Sequence, residues 1–218
     1  MKQIKNAFGV TVNDVVLAAC ALSLRRYLAD HDDLPEEPLV CGVPVSLRSA
    51  EERDFSNKVS FMLVTLPTHL EEPEAVIRAV HEETRRAKRL FQAIEPELME
   101  GWLGLVAPPL LGVVARLYSG LDLANRIPMP ANCVISNVAG PSIPLYMAGA
   151  RVLATYPMGP AADGSGLNIT VLSNMGRMDV GVMACPETVP DVWDIAEGFG
   201  QAVAELRVAA EKRDAETP

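Results

Sequence analysis

The order of elements along the chain predicts an α/β protein of the two-layer α+β kind, with one mixed β-sheet covered by helices. Three observations carry that expectation. A helix near the N-terminus is apolar on nearly all sides, which marks a helix buried within a layer. The strand-like runs come in two groups separated by helices, giving the order helix, strands, helices, strands, helix, which argues against a purely doubly wound sheet. Residues 102–185 carry only seven charged side chains in 84 positions, a stretch that calls for a large core, a partner surface or a lipid-like ligand.

The elements follow in chain order. Thr11-Val-Asn-Asp14 reads as a capping box, in which the Thr hydroxyl accepts from the third helical amide and Asp14 reaches back to the Thr amide. Apolar residues at 12, 15, 16, 19 and 22 keep helical spacing, and Arg25-Arg26-Tyr27 returns the helix to solvent. Residues 31–38 form a charged, Pro-containing loop. Leu39 to Val45 reads as a buried strand, made an edge or irregular strand by Pro44. A polar loop over 51–56 leads to a strand from Val59 to Leu66. From Glu72 to Phe91 an amphipathic helix sets Val76, Ala79, Val80, Ala87, Leu90 and Phe91 on one stripe and Arg78, Arg85, Arg86, Lys88 and Arg89 on the other. One or two helices broken at Pro108-Pro109 are expected over 95–125. Strands are expected over Cys133–Asn137, Leu145–Tyr146, Arg151–Tyr156 and Leu167–Leu172, with a hairpin turn at Asn174-Met-Gly-Arg177 into Met178–Ala184. Thr188-Val-Pro-Asp191 reads as a second capping box, opening a helix whose stripe is Val192, Ile195, Ala196, Phe199, Val203 and Leu206. The tail after Ala210 is expected to fray.

Composition bounds the function. The 218 residues suffice for one sizeable core, and no repeat or linker divides them, so residues 1–218 are read as one domain. A net charge of -9 and a pI near 4.9 give no general attraction to phosphate, so no nucleic-acid partner is expected. Cys20, Cys41, Cys133 and Cys185 each sit in apolar sequence without the short spacing of zinc ligands. Buried free thiols, no metal and a reducing cytoplasm are the expectation. No apolar run reaches the ~18 residues of a bilayer span, the nearest, Trp102 to Ala115, being broken at Pro108-Pro109, and no secretory leader is read at the N-terminus.

Local motifs do not settle a chemistry. His31, His69 and His81 stand in no catalytic or metal motif, and each is read as a solvated or partly buried imidazole. Gly164-Ser-Gly166 precedes a strand rather than a helix, which is the wrong place for a phosphate loop. Capping explains Asp14, whereas Asn13 is less easily explained, because Thr11 already serves as cap. Ser136-Asn137 ends an apolar strand and runs into Gly140-Pro141, a pattern that suits either a ligand site or a turn.

The ordered series carries more. Asn13-Asp14-Val-Val-Leu-Ala18, Leu24-Arg25-Arg26-Tyr27-Leu28, Val43-Pro-Val-Ser-Leu-Arg48, Asn57-Lys-Val-Ser60, Ile135-Ser-Asn-Val-Ala-Gly-Pro141, Pro157-Met-Gly-Pro160 and Gly166-Leu-Asn-Ile169 occur in that order. The series resembles the C-terminal domain of bacterial wax ester synthase/acyl-CoA:diacylglycerol acyltransferases over roughly residues 9–209. Two turn positions depart from the family pattern, Ala139 where Pro is frequent and Asn174 where an aromatic is common. The resemblance implies a chloramphenicol-acetyltransferase-like half. Its full enzyme carries a His-His-x-x-x-Asp-Gly motif in an N-terminal domain, whose general base deprotonates an alcohol for attack on an acyl-CoA thioester.

That motif is absent from these 218 residues, so the chain is expected to be a fragment, a split protein or a degenerate homologue, inactive alone, with no catalytic residue of its own. The positions carried over as substrate-binding or interface residues are Asn13, Asp14, Arg48, Asn57, Ser136, Asn137, Gly140, Pro141, Gly159, Pro160, Gly166 and Asn168. Asn13 and Asp14 are placed by the resemblance at the domain interface, near the catalytic His of the other half. The implied partners are an N-terminal acyltransferase domain, acyl-CoA and a long-chain alcohol or diacylglycerol, with acyl-CoA as substrate and no cofactor. Peripheral contact with the inner membrane or a lipid droplet is implied by the substrates. A condensation-like acyltransferase half and a non-catalytic lipid- or partner-binding module are the alternative readings of the same fold.

Overall fold

The computed structural model describes residues 1–46, 59–93, 130–161 and 164–216. Arg48, Asn57, the loop expected over 51–56 and the helices expected over 95–125 lie outside the described residues. A short helix that the sequence reading missed, α1 (Lys2–Phe8), ends on Gly9, whose φ of 67° is the left-handed cap conformation glycine adopts without steric cost. The predicted α2 (Val12–Asp30) follows, with both hydrogen bonds of the Thr11–Asp14 capping box formed. Next come β1 (Leu39–Ser46), β2 (Val59–Leu66) and α3 (Pro73–Ala93). Then β3 (Cys133–Val138), β4 (Tyr146–Met147), β5 (Ala150–Arg151), β6 (Leu167–Asn174) and β7 (Arg177–Ala184) lead to the last helix, α4 (Val192–Glu216).

The main sheet runs in the order β2-β1-β3-β6-β7. β1 and β6 are antiparallel to β2 and β7, while β3 is parallel to both β1 and β6, so the sheet is mixed as expected. Register sets Cys41, Val43, Met62, Val64, Leu66, Cys133, Ile135, Ile169 and Val171 on one face, and all of them are buried. They share one core with α2, α3 and α4. The opposite face carries Phe61 and Leu63, both exposed. Along β2 the alternation is clean, which explains why a strand survives there on period-two patterning alone.

Helix α2 is the centre of the helical layer. Every residue from Val15 to Leu24 is buried, Ser23 included, whose hydroxyl donates to the Ile195 carbonyl at 2.7 Å. Arg25, near its C-terminal end, donates to the Thr68 carbonyl just past β2, so α2 runs antiparallel to β1. No single described helix is long and apolar enough to cross a membrane.

Several expectations are corrected. Of the two alternatives for Pro44, the edge strand is overturned and the irregular strand stands: β1 is second in the sheet but is paired on one side only at Pro44. The proline is tolerated because β1 pairs with β3 only at Cys41 and Gly42, leaving β2 as its one described ladder at Pro44. The Thr188 box does not form; the Thr188 hydroxyl turns back to the Cys185 carbonyl at 3.2 Å, and α4 starts three residues later than that box requires, at Val192. Ordered helix continues past Ala210 to Glu216, where Arg213 donates to the Ala7 carbonyl and to Glu74. On α3 the buried stripe takes in Ile77 and Thr84, and Leu90 is exposed. The strand expected over Arg151–Tyr156 shrinks to Ala150–Arg151, and its partner is Tyr146–Met147.

Candidate functional site

The first turn of α2 holds a buried carboxylate with three hydrogen-bond donors. Asp14 is 1 % exposed. Its Oδ2 accepts from the Thr11 amide at 2.9 Å, closing the capping box. The same oxygen accepts from His81 Nδ1 at 2.9 Å, and Oδ1 accepts from the Thr84 hydroxyl at 2.7 Å. His81 and Thr84 stand three residues apart on α3, so both reach one neighbour across the helix interface. Burial by itself would raise the carboxyl pKa, but donation from His81, the Thr11 amide and Thr84 outweighs it and holds Asp14 below the usual carboxylate range. With an ionised carboxylate as acceptor, Nδ1 carries the proton of this contact, and Nε2 of a side chain about one-third exposed has no hydrogen-bond partner among the described residues.

Sequence reasoning had capping for Asp14 and an unremarkable imidazole for His81, and so missed their contact. A signal existed: Thr84 lies on the same stripe as Val76, Val80 and Ala87, and a buried hydroxyl there needs an acceptor from another element. Asn13, next to Asp14, is half-buried, and its side chain makes no hydrogen bond among the described residues.

Because α2 is antiparallel to β1, its first turn lies toward the end of the sheet where β1, β3 and β6 finish. That end also holds Ser136 and Asn137, near the close of β3, both half-buried. Their sides differ. Asn137 pairs with Val171 on the helix-facing side, while Ser136 pairs with Thr170 on the opposite side. Gly140 and Pro141 continue from β3 and are fixed to the β6–β7 hairpin: Gly140 N–H donates to Ser173 Oγ at 3.0 Å, and the Pro141 carbonyl accepts from Met175 N–H at 3.2 Å.

The remaining positions carried over by resemblance gather on the outer face of β6 and β7. Asn168 is buried there; its Oδ1 accepts from Thr170 Oγ1 at 2.8 Å and its Nδ2 reaches the Pro160 carbonyl at 3.4 Å. Gly159 lies against that side-chain amide so closely that a Cβ would stand 2.4 Å from it. The Gly166 carbonyl accepts from Cys185 N–H at 2.8 Å, holding the chain after β7 to the start of β6. Among the described residues the predicted positions thus fall into two groups, one at the end of the sheet toward which α2 begins, where no contact joins it to Asn13 or Asp14, and one under the segment 157–160.

Cys20, Cys41 and Cys133 are buried free thiols as expected. Burial, with Cys133 nearby, pushes the Cys20 and Cys41 thiols well up, and burial raises Cys133 to about 12. Cys185 departs from that expectation: it is half-buried and its thiol donates to Glu187 at 2.8 Å, because the turn after β7 leaves the core. Among the described residues no group of three His, Cys, Asp or Glu side chains could hold a metal ion.

Comparison with known proteins agrees with this architecture. A Mycobacterium tuberculosis protein named as a diacylglycerol O-acyltransferase is 39% identical over 207 residues, covering 94% of this chain and 41% of its own length. The O-acyltransferase WSD of Acinetobacter baylyi is 35% identical, covering 87% of this chain and 40% of its own. Among solved structures, the wax ester synthase/diacylglycerol acyltransferase from Marinobacter aquaeolei superposes with a TM-score of 0.75 at 33% identity over 97% of this chain and 47% of that one. The PapA2 acyl transferase, at 15% identity and a TM-score of 0.55, shares the fold. The chain thus spans less than half the length of the curated relatives it matches. With the family model described as WS/DGAT C-terminal domain matching residues 55–207, the chain belongs to the WS/DGAT C-terminal domain family.

Proposed function

We propose that this chain acts as the C-terminal half of an acyl-CoA-dependent O-acyltransferase that forms wax esters or triacylglycerol from a long-chain alcohol or diacylglycerol. The observation that carries the reading is the lopsided coverage: nearly all of this chain matches named O-acyltransferases, and less than half of each of them is matched. The work is then divided. The other half supplies the general base, worth roughly 10²–10⁴-fold in rate. This half supplies walls for an acyl chain and a positioned polar edge at the first turn of α2.

Asn13 fits the role of orienting the incoming hydroxyl or the base, since its amide has both a donor and an acceptor and neither is used among the described residues. Asp14 fits the role of fixing that turn. The thioester carries its own leaving group, so the reaction needs no bound cofactor, and its lipid substrates bring the enzyme to a membrane or droplet surface.

The test is a fused polypeptide. The 218 residues are placed behind the part of the Marinobacter enzyme that lies ahead of its matching region. Ester formation is then assayed with palmitoyl-CoA and either hexadecanol or dioleoylglycerol. Turnover by the fusion and none by the chain alone is the expected result, and the preferred acceptor separates wax ester from triacylglycerol. Esterification by the purified chain alone would show that this half has its own base. A folded fusion without turnover would remove the acyltransfer reading.

A further inference from the structure

Helix α3 braces the chain on both sides of a sharp bend. α1 and α2 meet at 99° across Gly9, Val10 and Thr11. Before the bend, Arg213 of α4 donates to the Ala7 carbonyl and to Glu74 at the start of α3. After it, His81 Nδ1 donates to Asp14 Oδ2 and the Thr84 hydroxyl donates to Oδ1. Glu74 and His81 lie two helical turns apart on α3, so one side of one helix carries both ties.

The three donors on Asp14 are not equivalent. The Thr11 amide belongs to the same helix end and moves with it. Thr84 is buried on the inner stripe of α3, where its hydroxyl needs an acceptor whatever the protein does. His81 stands at the rim of the α2–α3 contact, its side chain 29% exposed against 1% for Asp14. Water could satisfy its Nδ1 there, so burial does not demand the bond. What the imidazole adds is direction. With α3 donors on both oxygens, the plane of the carboxylate is fixed, and with it the turn that carries it. Asn13 adjoins Asp14 in that turn, half-buried, and its amide has no hydrogen bond among the described residues. Its aim is therefore inherited from the turn.

We propose that His81 is a positioning residue for acyl transfer: through its Nδ1 bond to Asp14 it holds the first turn of α2 in the orientation that presents the Asn13 amide to the reacting groups. The proposal rests on the role proposed above for Asn13 and adds the residue that sets its direction. The contribution runs through Nδ1 alone, so no proton passes through Nε2. A displacement of about 1 Å in a reacting geometry costs on the order of 10²-fold in rate, and losing one of three ties should cost about tenfold.

Two substitutions separate the ring nitrogens. Asn carries its amide nitrogen where Nδ1 stands, and Gln carries it at the reach of Nε2. In the fused polypeptide described above, His81→Ala and His81→Gln should each lower kcat about tenfold and leave KM within about twofold. His81→Asn should recover most of that loss. Added to Asn13→Ala, His81→Ala should cost less than about twofold more, because the two residues act as one unit. An unchanged kcat in His81→Ala overturns the proposal. So does a loss that Asn fails to recover, which gives the imidazole a task of its own, and so does a fully additive double variant, which makes His81 independent of Asn13. A folded fusion without turnover removes the acyltransfer reading instead. The tie is then read from the side-chain amide resonances of Asn13 in that fusion, or in the 218-residue chain where the fusion does not fold. Resonances that shift in His81→Ala and return in His81→Asn support the tie; resonances that stay in place in both variants overturn it.

Discussion

At Asp14 a single carboxylate caps one helix and ties it to another, and its removal acts on both. Asp14→Ala removes only the half of the capping box that its own carboxylate makes, since Thr11 still caps the residue-14 amide, and leaves the buried Thr84 hydroxyl without its best acceptor, at a cost of about 1–3 kcal/mol. Because Thr84 can still turn to the His81 carbonyl at 3.0 Å, a total near 2–3 kcal/mol is expected in urea unfolding. The pH dependence follows from the depressed folded pKa. The stabilisation is fully present above the unfolded value near 3.9 and is lost as pH falls through the lower folded value. Buried Asp179, bonded by Thr155 N–H and Asn174 and likewise held low, adds to the same acid slope. Asp14→Asn should therefore flatten the stability curve below pH 4. Asn13→Ala is its opposite. With no described partner to lose, it should shift stability by less than about 0.5 kcal/mol, yet lower kcat of the fused enzyme by up to about 10²-fold if the amide orients the reacting groups.

At the scale of elements, glycines decide how closely the segment 157–160 lies on β6 and β7. A Cβ at Gly181 would meet the Pro157 carbonyl oxygen at 1.7 Å, and one at Gly159 would meet the Asn168 amide at 2.4 Å. Gly181→Ala and Gly159→Ala should each cost about 1–3 kcal/mol or more through overpacking. Gly200→Ala on α4 meets nothing within 4 Å and should stabilise by about 0.5–1 kcal/mol. Chemical unfolding of the three variants gives the sign directly.

These elements also show what a sequence can disclose. Capping residues, the i, i+3, i+4 spacing of α3 and the Asn174–Arg177 turn are local signals, and they placed α2, α3 and the β6–β7 hairpin well. α1 escaped notice because seven residues ending on a glycine give too short a period to read. The start of α4 was misplaced because the Thr188 hydroxyl chose a turn carbonyl over a helix amide, a competition that only the surrounding chain resolves.

For the whole molecule, family membership was visible in the ordered series of short motifs, because those motifs mark places where the backbone has little freedom. The roles of the residues were less visible. Gly140, Gly159 and Asn168 read as site residues, and their described contacts are structural; His81 read as bland, and it meets the buried carboxylate. Both facts depend on pairs 67 or fewer residues apart that no local pattern links. The fused enzyme is the measurement that joins the scales, since turnover and the Asn13→Ala effect are read from one sample.

The short ladder between β1 and β3 has a mechanical meaning. Two residue pairs, at Cys41 and Gly42, and the two hydrogen bonds between Val40 and Asn132 join the β2–β1 ribbon to the β3–β6–β7 ribbon, although β1 runs on to Ser46 and β3 to Val138. The two ribbons therefore splay like an open zip toward the end where α2 begins, and the seam is the weakest line in the sheet. Force or denaturant should part the protein along it first, with the leaves still intact on either side.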